Sequence, residues 1–509
     1  MPVFRLLNFV FCMVIIGPTS LFASQGHLGF EQVIDEARQL AGKNFQELPD
    51  NKIPDFLKDI PYDQWRDIRF KNTKTLWQNE NENFKIRFFH LGLYYHQPVT
   101  INDVDSTGIH QFQFSPDLFD YGKNDFQGKI PPDLGFAGFR IHYPINTASY
   151  ADEIAVFLGA TYFRAVAKGQ FYGASARGLA INTASDMGEE FPFFKEFWII
   201  KPLKEDKEIT VYALMDSPSI AGAYQFIIHP GEKTVMQVNS VLFTRKRIEK
   251  LGIAPLTSMF FYGENSKTAD YVDFRPEVHD SDGILIFTKW GEWIWRPLVN
   301  PKDLLINTFE VQTPQGFGLF QRDMNFDHYQ DLESRYENRP SLWIVPKGDW
   351  GNGHVELVQI PSNSEHNDNI NVFWVPQKSP EAGKELNFSY TLEWCSAKSK
   401  ESAIGFVTDT RVVPQGQGAE FVIDFQGLAG LTSGQNLTAD IDITKDCRVV
   451  KQQVLKNAVT GGWRLVFQIQ EQGMLRDMVP GKKPVVGLRA FLKDGSRVLT
   501  ETWDYAFTP

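Results

Sequence analysis

The chain has 509 residues, with 51 Lys and Arg against 62 Asp and Glu and a net charge of −11. That balance excludes nucleic acid and anionic lipid as partners, since both are held by concentrated Lys and Arg. Three cysteines are too few for a disulfide-rich scaffold, and an aromatic content of 14%, with 42 Phe and 12 Trp, calls for a large aromatic core or for surfaces that stack on sugar rings.

In chain order, residues 1–23 read as a secretory signal peptide. Arg5 is followed by an apolar run over 6–17, and Ala23 precedes polar sequence. The run is too short to span a bilayer, and no second stretch of about 18 apolar residues follows. Without a twin-arginine pair, export to the periplasm by the general secretory route with cleavage of the signal is expected. Cys12 leaves with that segment. Cys395 and Cys447 remain, and either a disulfide or two buried thiols fits them.

Phe30, Val33, Ile34, Ala37 and Leu40, followed by Gly42, have the spacing of a short amphipathic helix ending at glycine. A polar, proline-broken segment over 48–67 allows one or two further helical turns. After it come KIRFFHLGLYYHQPVTI, FAGFRIHYPI, FWIIKPL, EITVYALM, AYQFIIHP, TVMQVNSVLF, ILIFTKWGEWIWRPL and NINVFWVP, all β-branched and aromatic runs set apart by Pro, Gly, Asn and Asp. Strands so numerous, with little helical period between them, predict an all-β chain. Residues 24–396 are expected to form one large β-sandwich whose long loops carry the chemistry. CSAKSKESAIG supplies a linker at 397–404. Beyond it, about seven short strands with turns at Gly461-Gly462 and Asp494-Gly495 predict a small immunoglobulin-like sandwich over 405–509, lacking the usual Cys-Trp-Cys spacing.

No GxSxG, HExxH, Walker loop or CxxC is present, so hydrolase triads, zinc proteases, nucleotide chemistry and thiol redox have no support. His90/His96 and His354/His366 are the histidine pairs to consider as ligands. Lone strand histidines are more often structural, and neither a metal nor a cofactor is expected. What recurs is acid in loops. Asp280 lies in RPEVHDSDG and Asp368 in SEHNDNINVFW, each at the mouth of a strand, where an Asx turn explains the residue as well as catalysis does. Two loop acids on an aromatic β scaffold also fit glycoside hydrolysis, which needs one protonated carboxyl on the leaving oxygen and one carboxylate to activate water. In GEWIWRPL, strand alternation places Trp293 and Trp295 on one face and Arg296 on the other, making either a platform for sugar rings or a core wall. The segment between TPQGFG and PSLWI is a long polar loop crowded with acids, arginines and Tyr336.

LGFAGFRIHYPIN, FYGASARGLAINTA, GEEFPFFKEFWI, LGIAPLTSMF, RPEVHDSDG, GEWIWRPL, TPQGFGLFQR, DLESRYENRPSLWI and EHNDNI, in that order along the chain, resemble the G and D branches of the osmoregulated periplasmic glucan biosynthesis family. Lacking a twin-arginine signal, the chain is more like the G branch. The resemblance implies a galactose-mutarotase-like β-sandwich followed by an immunoglobulin-like domain, and a β-1,2-glucan as substrate. It further implies an inverting endo-β-1,2-glucanase that trims the nascent glucan. The alternative is a non-catalytic glucan-binding scaffold working with a membrane glucan synthase, and a homodimer is compatible with either.

Carried over residue by residue, the HDS motif places the general base at Asp280, the NDN motif places the general acid at Asp368, and the RY within SRYEN places a proton-path tyrosine at Tyr336. Glu365, Arg177, Tyr172, Trp293, Trp295 and Arg296 are candidates for sugar contact by residue type within family-like motifs. Asp280 is expected to stay ionised. Asp368 is expected to hold its proton with the help of a carboxylate such as Glu365.

Overall fold

The computed structural model describes residues 28–47, 53–80, 82–126, 128–266, 273–397, 404–416, 418–428, 437–444, 447–471 and 485–508. The expected signal peptide, and all but the two ends of the expected linker, lie outside them. Strands make up 51% and helices 8%, so the chain is all-β as its pattern predicts.

The helix Phe30–Ala41 forms where its apolar spacing places it and buries Val33, Ile34 and Ala37 against Tyr212, Leu214 and Phe243. Gly42 ends it in the right-handed region at φ −72°, donating its N–H to the Arg38 carbonyl at 3.3 Å, so the left-handed freedom of glycine is not used here. Asp55–Lys58 and Tyr62–Arg66 are the two short turns of the proline-broken segment.

Two large sheets follow. Strands such as Lys85–His90 alternate half-buried and buried residues, the period of a sheet covered on one face. Among the described residues the first sheet has ten strands and includes Phe136–Thr147, Tyr162–Ala165, Ser175–Arg177, Leu251–Ser258 and Ile370–Pro376. The second has fifteen and includes Phe193–Ile200, Ile220–His229, Glu385–Cys395, Ser341–Lys347, Gly316–Phe320 and Gly283–Phe287. They pack face to face. Phe157 of the first meets Phe197 and Phe226 of the second edge-on, with ring centroids 5.7 and 5.1 Å apart.

The second sheet does not stop at the expected linker. Trp293–Pro297 pairs antiparallel with Gly283–Phe287 and parallel with Thr502–Phe507, bringing Trp295 opposite Trp503. Val486–Asp494 and Thr438–Ile443 continue it outward, and a separate sheet built from Phe406–Gln415, Gly418–Gln426, Trp463–Glu471 and Cys447–Lys456 accompanies them. The core at this end mixes Leu285, Trp295 and Trp343 with Phe421, Phe467 and Trp503. Cys395 and Cys447 are both buried.

This continuity decides between the two uses of GEWIWRPL. Trp293 and Trp295 do share a face, but the C-terminal strands cover it. Trp295 is 4% exposed with the Arg322 guanidinium 3.7 Å from its ring, and Trp293 stacks between Phe287 and Trp343 at 4.2 and 5.9 Å. Arg296 is buried in an ion pair with Asp504, 5.5 Å above Phe309. All three were expected as sugar contacts; Trp295 and Arg296 are instead buried where the two parts of the chain join, and Trp293 is half-buried in the same aromatic packing. Trp295→Ala is therefore expected to cost about 3–5 kcal/mol of stability, the usual range for a buried large-to-small change. Urea unfolding measures that loss.

Candidate active site

Asp280 follows the two-residue strand Val278–His279, which pairs with Phe260–Tyr262, and its N–H donates to the Met259 carbonyl at 2.8 Å. Three residues later the chain enters Gly283–Phe287 of the second sheet. Asp368 precedes Ile370–Pro376 of the first sheet, whose residue Ile370 is the register partner of Ser258. Asn369 fixes the two loops together. Its carboxamide accepts from the Phe260 N–H at 2.9 Å and donates to the Phe260 and Ile360 carbonyls at 3.0 and 3.1 Å. Phe260 pairs in turn with His279, so a single buried asparagine ties the loop of Asp368 to the strand that carries Asp280.

The two carboxyls differ in their surroundings. Asp280 is 5% exposed and forms an ion pair with Arg339. Burial pushes its carboxyl upward, against the charge and hydrogen bond of Arg339 and the charges of His279 and Arg164. Asp368 stays open to solvent, so water and a ligand reach it, and among the described residues no protein group donates a hydrogen bond to its carboxyl. The protein packed around it nevertheless disfavours the charged form. That desolvation, followed by the charge of Asp280, raises Asp368 to about 6 in spite of Arg164 and Arg339. The carboxylate that helps Asp368 keep its proton is thus Asp280 and not Glu365.

Glu365 is engaged elsewhere. Its Oε2 accepts from Tyr336 Oη and from Arg275 Nη1, both at 2.7 Å, and Arg275 also reaches Asp331 at 2.9 Å. Burial alone would raise Glu365, but the hydrogen bonds from Arg275 and Tyr336 outweigh it and hold the carboxyl below its ordinary range. Tyr336 begins the 3-10 turn Tyr336–Asn338 in the long loop between Gly316–Phe320 and Ser341–Lys347. Gln321 Nε2 donates to its carbonyl at 3.0 Å, and the Arg339 guanidinium lies 4.2 Å from its ring. Arg339 therefore touches both Asp280 and Tyr336.

Arg339 and the Tyr336–Glu365 hydrogen bond link Asp280, Tyr336 and Glu365, and Asp368 lies near enough to feel the charge of Asp280. Arg177 is buried, paired with Glu189 at 2.8 Å and set between the rings of Tyr162 and Phe191. The ring of Tyr172 lies 4.6 Å from the Arg164 guanidinium. Sequence reasoning missed Arg164, Arg275 and, as site residues, Tyr95 and Tyr162, both of which feel the charge of Asp368. Arg275 opens the motif that holds Asp280, which was the one available signal. Beside Arg275 a groove of about 700 Å³ opens, lined by Phe274, Asp331 and Leu332.

Behind Asp280 lies a second, acidic cavity of about 150 Å³ between the two parts of the chain, lined by Glu264, Asp282, Asp323 and His328. Burial, then the charges of Glu277 and Asp282, raises Glu264 to about 8. Burial opposes the charged form of His279, but hydrogen bonding and charge from Glu277, aided by Asp282 and Glu264, lift it to about 9. Glu277, Asp323 and His328 have ligand-type atoms within 4.8 Å of one another. Glu277 is already bonded to His279 and Asp323 to His328, so the group is satisfied within the protein. Of the histidines considered from sequence, His90 and His96 contact the Leu91 and Leu93 carbonyls, and His354 faces Glu356 at 3.5 Å.

A family model described as periplasmic glucan biosynthesis protein, MdoG, matches residues 28–507. Glucans biosynthesis protein G of Ralstonia nicotianae is similar along its whole length, 45% identical over 509 residues that cover 97% of this chain and 99% of the relative.

Proposed function

From the premise that this chain belongs to the periplasmic glucan biosynthesis family, we propose that it is an inverting endo-β-1,2-glucanase that trims the nascent glucan in the periplasm after removal of residues 1–23. Export fits the absence, among the described residues, of any helix long and apolar enough to cross a membrane.

The observation that carries the reading is the unequal pair of acids. Asp368, raised to about 6 and lacking a hydrogen-bond donor among the described residues, is the general acid that protonates the leaving glycosidic oxygen. Asp280, held by Arg339, is the base that takes the proton of the attacking water. Asp368 senses the charge of Asp280 without a hydrogen bond joining the two carboxyls, and an inverting reaction places a water between its acid and its base. Tyr336, whose own proton is committed to Glu365, offers its oxygen lone pairs to a substrate hydroxyl or to water on the path to Asp280.

Incubation of the purified protein with linear β-1,2-glucan, followed by assay of new reducing ends and of their anomeric form, tests the proposal. New ends of inverted configuration are expected. Binding without new ends would replace the enzyme with a glucan-holding scaffold.

A further inference from the structure

Two large exposed aromatic side chains, Phe171 and Phe191, connect through neighbouring residues to the acids. Phe171, 46% exposed, donates its backbone N–H to the Asn338 carbonyl at 3.1 Å, at the end of the Tyr336–Asn338 turn. Two residues on, a Cβ on Gly173 would lie 3.0 Å from the side chain of Arg339, so this segment packs directly on the arginine that holds Asp280. Phe191, 53% exposed, is backed by the Arg177 guanidinium at 5.1 Å. Arg177 cannot swing away. It is paired with Glu189, which also accepts from Thr183 Oγ1 at 2.8 Å, and its other side covers Tyr162, a ring that feels the charge of Asp368.

An exposed ring is costly in water and needs no explanation when isolated. Here, however, each ring lies against an arginine: Phe171 at 5.7 Å from Arg335, on the segment whose Gly173 packs on Arg339, and Phe191 at 5.1 Å from the buried Arg177, which also covers Tyr162. Sugar rings present apolar C–H faces that match an aromatic face, and a rigid ring loses little conformational freedom on binding. We propose that Phe171 and Phe191 are sugar-stacking platforms that bind glucose units on either side of the Asp280–Asp368 pair. This rests on the glucanase reading and deepens it. A ring at each end means that a chain must extend past both acids to bind fully, which selects internal linkages over chain ends.

The test is calorimetric titration of linear β-1,2-glucan into the non-cleaving Asp368→Asn protein and into the same protein carrying Phe171→Ala or Phe191→Ala. Each alanine is expected to weaken binding about tenfold without shifting the thermal midpoint. Phe171→Trp and Phe191→Trp should restore affinity, because a stacking platform needs a ring and not a particular residue. Trp290→Ala, which removes an exposed ring on the turn before Trp293–Pro297, serves as the control and should change nothing. Alanine variants that bind within twofold of the parent, or tryptophan variants that bind no better than alanine, overturn the inference alone. An Asp368→Asn parent with no measurable affinity for β-1,2-glucan overturns the functional reading on which it rests.

Discussion

Asp368→Asn and Asp280→Asn are each expected to lower the release of reducing ends from linear β-1,2-glucan by about 10²–10⁴-fold, the range that positioned acids and bases contribute. Asparagine keeps the shape of each side chain and removes only the ability to give or take a proton, so both variants should fold. Their pH behaviour separates the two roles. The folded protein raises Asp368 from 3.8 to about 6 and so disfavours its ionised form. That penalty is absent below pH 3.8, where the carboxyl is neutral folded or unfolded, and is complete above about pH 6. Asp368→Asn should therefore gain stability relative to the parent as pH rises through this window, while losing activity at every pH. Asp280 is raised as well, so Asp280→Asn gains in the same direction, but it strands Arg339 and should lie below Asp368→Asn at both pH values. Thermal midpoints of the three proteins at pH 4 and pH 7.5 measure the difference. Near-full activity in either variant would sink the assignment.

Much of the architecture could be read from residue pattern alone, because the alternation of strands such as Lys85–His90 and the helical spacing of Phe30–Ala41 are local properties. The HDS and NDN motifs locate the acids, and turn chemistry stands beside one of them, since the Asn369 side chain closes the loop that carries Asp368. What pattern could not supply was partners. Alternation puts Trp293 and Trp295 on one face but says nothing of what covers that face, and here it is Trp503 and its neighbours, some two hundred residues later. Arg339 lies 59 residues from Asp280 and Glu365 lies 90 from Arg275. Charge coupling across such separations is set by the fold, which is why Glu365 was expected to protect the proton of Asp368 while Asp280 does so.

Arg339 makes the second large effect calculable in sign. It lowers both acids, through direct contact at Asp280 and from farther away at Asp368, where it is the weakest of the influences named. Arg339→Gln raises both carboxyls, Asp280 the more. A general base works only when ionised, so the rate falls as pH drops through the pKa of Asp280. A general acid works only when protonated, so the rate falls as pH rises through the pKa of Asp368, about 6 in the parent. Moving the first limb up farther than the second narrows the bell and lowers its maximum, by about tenfold or more. The variant also leaves Asp280 buried without its partner. Such a loss costs about 3–5 kcal/mol where the carboxylate remains charged, and it vanishes at acid pH where Asp280 is neutral in both states. Arg339→Lys keeps the charge but gives up the planar contact with the Tyr336 ring, and should recover the width of the bell more than its height. The pH dependence of glucan cleavage in the three proteins decides the matter: a uniform loss of rate with no narrowing would mean that Arg339 holds substrate and does not tune the base.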